Sequence, residues 1–114
     1  LESEGINVSV VNCRFLKPVD EETLRWALAG HDTIVTIEEG TIVNGFGAAL
    51  AEHIEQARRE RPALRQEIMG VPDRIIEHAN RDQQLAEVGL DAEGIAARVR
   101  ALVMIAAAPR VHSA

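Results

Sequence analysis

Apolar residues recur along this chain in two rhythms, short β-branched runs and longer stretches with a helical period. Val8, Val10 and Val11, bounded by Gly5 and by the turn former Pro18, predict a short buried strand. A helix follows. Asp20 offers an N-cap oxygen, Glu21 and Glu22 complement the positive end of the helix dipole, and Leu24, Ala27 and Leu28 share one face. Val19 and Leu24 fit a hydrophobic staple across its start, and Gly30 is placed to end it in the left-handed conformation. Thr33 to Ile37 is the clearest strand pattern, running into the polar pair Glu38 and Glu39 and then Gly40, which read as a loop. From Gly45 to Glu60 the apolar positions Phe46, Ala49, Leu50, Ile54 and Ala57 recur at helical spacing, and Pro62 cannot continue that helix.

Arg65 to Met69 is a weaker strand pattern, closed at once by Gly70. Asn80 with Gln83 forms a capping box, Leu85 and Val88 point inward, and Gly89 is a stop signal. Asp91 caps a last helix whose stripe is Ile95, Val99, Leu102 and Val103, with Leu90 stapled to Ile95. Residues 107–114 read as a frayed tail after a domain over 1–106. Strands alternating with helices imply parallel strands joined by right-handed crossovers, a three-layer α/β sandwich with a mostly parallel sheet. Three strands make that sheet thin, and its missing first strand is expected upstream of Leu1.

With 114 residues the chain has the size of one domain, and 46% hydrophobic with 26% charged residues excludes intrinsic disorder. A formal charge of −6 repels a phosphate backbone, and two Phe, one Trp and no Tyr leave no base-stacking platform, so nucleic acid is excluded as a partner. The strongly apolar run over residues 101–108 falls far short of the roughly 20 residues that span a bilayer. Cys13, the lone cysteine, is expected as a buried, inert thiol, which suits a reducing cytoplasm. The chain begins at Leu1 and carries no secretion signal, so an N-terminally incomplete segment of a longer polypeptide is expected.

Gly45, Phe46 and Gly47 stand between a strand and a helix, where backbone N–H groups could bind phosphate, yet Leu50 occupies the third glycine position and the nearby Glu38 and Glu39 repel a diphosphate. Small residues permitting a tight turn and close packing is the preferred reading. Glu38 and Glu39 are adjacent at a strand end and point to opposite sides of the sheet, so they are poor acid/base partners, and interface or structural use outweighs catalysis. His31, His53, His78 and His112 include no i, i+4 ligand pair. Ser3, Ser9 and Ser113 lack a nucleophile elbow. Asp73 and Arg74, with Pro72, Glu77 and His78 around Ile75 and Ile76, are read as fixing a turn. The residues alone therefore assign no catalytic, cofactor-binding or metal site.

Several motifs in order carry a resemblance. Residues 10–20 (VVNCRFLKPVD), Thr36-Ile37-Glu38-Glu39-Gly40 and Asn44-Gly45-Phe46-Gly47 together resemble the C-terminal domain of transketolase-like thiamine-diphosphate enzymes. Residues 70–78 (GVPDRIIEH) and 84–95 (QLAEVGLDAEGI) narrow this to the 1-deoxy-D-xylulose-5-phosphate synthase family. The resemblance covers about Gly5 to Leu102. Relatives commonly carry Gly-Gly-Phe-Gly-Ser where this chain has Asn44 to Ala48, and Asn44 tolerates the positive φ such a turn needs. Ala79 stands where many have glycine.

For the whole enzyme the resemblance implies condensation of pyruvate with D-glyceraldehyde 3-phosphate to 1-deoxy-D-xylulose 5-phosphate and carbon dioxide, a step toward isoprenoids and thiamine. It implies thiamine diphosphate as the electron sink and Mg²⁺ on its diphosphate, both held by the preceding domains and neither bound by this segment. It further implies a homodimer, with this domain bracing its neighbours, and Glu38, Glu39 and the Asn44 to Gly47 turn are the candidates for the contact face. A 2-oxoacid dehydrogenase β subunit or transketolase itself would present the same domain, and a free-standing interaction module is the reading from another class. The upstream coding region separates them.

Overall fold

The two runs rich in β-branched and aliphatic residues pair as parallel strands, β1 (Thr33–Thr41) and β2 (Arg65–Val71), with Thr33 opposite Arg65 and Ile37 opposite Met69. The computed structural model describes residues 1–13, 19–72 and 80–107. Around the strands lie α1 (Glu21–Gly30), α2 (Phe46–Arg58), α3 (Arg81–Glu87) and α4 (Ala92–Ala107). Adjacent residues of a strand face opposite sides of the sheet. Gln66 donates from Nε2 to the Gly47 carbonyl of α2 at 2.8 Å, while the neighbouring Glu67 accepts from Arg98 Nε of α4 at 2.5 Å. Helices therefore cover both faces, and the expected α/β sandwich with a parallel sheet is what forms.

Leu50 and Ile54 of α2 and Leu64 before β2 make the core, and Val19, Leu24, Leu28, Ile34, Phe46 and Ala57 pack against it. The α2 pattern is thus correct in detail, since Leu50 and Ile54 lie one turn apart on the face that meets the sheet. Arg61 joins the layers. Its guanidinium donates to the Leu28 carbonyl, to the His31 carbonyl at 3.0 Å and to Asp32 Oδ1 at 2.6 Å. Carbonyls at the open C-terminal end of α1 are thereby satisfied. At the chain start, Glu4 accepts two bonds from Arg100 of α4 at 2.8 and 3.0 Å, a contact that holds the Glu4 carboxyl below and the Arg100 guanidinium above their ordinary values.

Local capping follows the expected pattern at three helices. Asn80 and Gln83 form a reciprocal capping box on α3, and Gly94 N–H donates to Asp91 Oδ1 at 2.9 Å on α4. Gly89 ends α3's segment at φ 75°, a left-handed conformation that glycine adopts without a Cβ penalty. Asp20 caps α1, accepting from the Thr23 backbone at 3.1 Å and from its hydroxyl at 2.8 Å. These bonds, the backbone one foremost, hold the Asp20 carboxyl below its ordinary 3.8. A lowered carboxyl stabilises the fold while ionised, and that contribution disappears as pH falls through 3.8 toward the folded-state value. Asp20→Asn is therefore expected to leave a protein slightly less stable at pH 7, with the difference from wild type shrinking as pH falls below 3.8. Thermal melts of both proteins across that range check it; a constant difference would show that ionisation of Asp20 contributes nothing.

Five expectations are corrected. The segment containing Val8, Val10 and Val11 is not a strand; Val10 is 91% exposed, and Val8 and Val11 are exposed as well. A β-branched run becomes a strand only where a ladder partner and a half-buried face receive it, and this segment has neither among the described residues. For the same reason Cys13 is exposed rather than buried. Gly30 remains within α1, and the helix stops at an extended His31, φ −137° and ψ 146°, whose Nδ1 bonds the Ala27 carbonyl at 2.9 Å. Glu38 and Glu39 belong to β1 rather than to a loop, because the strand continues through a register irregularity between Ile37 and Thr41. Val103, grouped with the inward stripe of α4, is also exposed, whereas Leu102 is buried. The expectations for Pro18 and for the Asp73 to His78 turn lie outside the described residues, as does the tail expected over 107–114 except for Ala107, which ends α4.

Candidate functional site

The end of β1 and the turn that follows it form the most elaborate polar arrangement at the sheet's edge. From Ile37 to Thr41 the first strand advances four residues while β2 advances two, from Met69 to Val71, so Glu38, Glu39 and Gly40 oppose Gly70 alone. Such a bulge re-aims side chains. The chain then turns sharply. Ile42 N–H donates to the Val71 carbonyl at 3.1 Å, Val43 N–H to Thr41 Oγ1 at 3.3 Å, and Asn44 takes the left-handed conformation at φ 56°. Asparagine tolerates that region better than other side-chain-bearing residues, as the sequence led us to expect.

Gly45 occupies the N-cap of α2 and has no side chain with which to cap it. Glu38 does so instead. Its Oε2 accepts from the Phe46 N–H at 2.6 Å, placing a carboxylate on the positive end of the helix dipole. Its other oxygen, Oε1, is buried and accepts no hydrogen bond. A Cβ on Gly45 would lie 2.5 Å from Oε1, 2.6 Å from Oε2 and 2.6 Å from the Thr41 carbonyl, so the glycine is required for space although its φ of −82° is ordinary. Two residues on, a Cβ at Gly47 would come within 2.5 Å of Thr36 Oγ1 and 2.7 Å of Ile68 Cγ2, so α2 approaches the sheet backbone-close.

Glu39 takes a separate course and pairs with Arg81 at the start of α3, an exposed contact. The adjacent glutamates thus anchor two different helices and do not meet, as expected from their strand positions. No sequence signal announced either partner.

The Gly45 to Gly47 turn does not fit a diphosphate. The Phe46 N–H that would cradle a phosphate oxygen is already held by Glu38, whose carboxylate stands where the phosphate would lie, and the Gly47 side is filled by Thr36 and Ile68. Among the described residues no three His, Cys, Asp or Glu side chains are grouped to hold a metal ion. No described helix is long and apolar enough to cross a membrane.

Of the histidines, His31 bridges the Ala27 carbonyl and Ser9 Oγ, each at 2.9 Å, with its ring edge-on to Trp26 at 5.6 Å between centroids. No local pattern signals this contact, which pins the N-terminal segment to the end of α1. His78, His112 and Ser113 lie outside the described residues.

Comparison with known proteins agrees with this architecture. Residues 1–95 match the family described as transketolase, C-terminal domain. The chain is 44% identical over 99 residues to 1-deoxy-D-xylulose-5-phosphate synthase of Thioalkalivibrio sulfidiphilus, covering 87% of this chain and 15% of that protein. It is 47% identical over 100 residues to the Aquifex aeolicus synthase, covering 88% of this chain and 15% of the relative, and 46% identical over 106 residues to that of Brevibacillus brevis, covering 92% and 16%. The chain therefore spans about one-sixth or less of the length of these relatives.

Proposed function

This chain belongs to the transketolase C-terminal domain family, and from that premise we propose that it is the C-terminal domain of a 1-deoxy-D-xylulose-5-phosphate synthase. The observation that carries the reading is identity of 44–47% to such synthases, sustained over roughly nine-tenths of the chain. The whole enzyme joins pyruvate to D-glyceraldehyde 3-phosphate and releases carbon dioxide, in the cytoplasm, for isoprenoid and thiamine synthesis. Thiamine diphosphate, with Mg²⁺ on its diphosphate, supplies the electron sink for decarboxylation when bound. In this reading its binding residues belong to the other domains, and the Phe46 N–H already held by Glu38 at the Gly45 to Gly47 turn supports that assignment.

In this reading the domain braces its neighbours in the same polypeptide and supports a homodimer. The contact face is formed by Glu38, Glu39 and the Asn44 to Gly47 turn. The tightly bonded turn, with Val43 51% exposed at its tip, supports that assignment, since a rigid apolar protrusion loses little entropy on docking.

Two measurements test the proposal. The full-length protein should release carbon dioxide from pyruvate only with thiamine diphosphate, Mg²⁺ and the aldehyde acceptor all present. Release that ignores the acceptor would point to a 2-oxoacid dehydrogenase, and no release would reject the synthase. Separately, Glu38→Ala/Glu39→Ala in the full-length protein should shift the dimer toward monomer in sedimentation experiments, and an unchanged dimer removes these residues from the contact face.

A further inference from the structure

We draw no further inference here: the strongest candidate, the solvent-open groove between β2 and α4 lined by Ile42, Met69, Val88 and Ala97 and bridged by Glu67 and Arg98, is an apolar face with nothing in the structure to show what covers it.

Discussion

Replacing Ile54 with alanine is expected to destabilise the chain by about 2–5 kcal/mol, the range for removing a large aliphatic side chain from a packed core. Ile54 is 0% exposed, and with Leu50 and Leu64 it forms the cluster on which residues of α1, β1 and α2 converge. Loss of its outer carbons removes apolar surface that had left water and leaves a void that neighbours on three different elements cannot all close. Val103→Ala on α4 is the control. At 41% exposure that position should stay within roughly 0.5 kcal/mol of wild type, as surface changes do. Urea unfolding of the two variants reads the difference as a shift in midpoint at constant slope. A loss below about 1 kcal/mol at Ile54 would mean that the cluster does not hold the layers together.

The contrast between Ile54 and Val103 also marks what the sequence could reveal. Periodicity identifies a buried face when the helix packs broadly, and α2, lying across both strands, follows its pattern closely. The stripe of α4 divides at Leu102 and Val103 because adjacent helical residues point about 100° apart and only the first meets the protein. Caps were legible for a related reason. Asp20, Asn80 and Asp91 each bond a group three residues away, so the whole device lies within a single short window.

Non-local partners were invisible. Val8 to Val11 has the composition of a strand, but pairing depends on a ladder that no local pattern specifies. Gly30 carried a stop signal of the same kind as Gly89, yet α1 ends through His31 and through Arg61, which lies 33 residues beyond Leu28. Glu38 was legible as a carboxylate at a strand end and as a poor partner for Glu39. Its actual role, capping a helix that begins eight residues later, required the bulge and the turn that bring the two together. The family motif around Asn44 to Gly47 therefore marked the right place, while the sequence alone could not say which physical need it meets.

That need yields the second large expected effect. Gly45→Ala should cost roughly 3 kcal/mol, combining overpacking against fixed neighbours with loss of a charge-assisted hydrogen bond. The new methyl would stand 2.5 and 2.6 Å from the two Glu38 oxygens and 2.6 Å from the Thr41 carbonyl, so the carboxylate must leave and the backbone must give way. Glu38→Ala removes the cap without adding bulk. About 1 kcal/mol is expected there, the usual cost of an N-cap replaced by alanine, because the Phe46 N–H loses its acceptor. The two changes should not add. With the carboxylate already gone, a methyl on Gly45 escapes its two closest carboxylate contacts and has no hydrogen bond left to break, so the double variant should fall short of the sum by about 1–2 kcal/mol. It should not match Glu38→Ala alone, since the carbonyl contact remains. Urea unfolding of the two single variants and the double variant closes the cycle. Strict additivity would separate Glu38 from Gly45 and leave α2 without the strand-borne carboxylate as its cap.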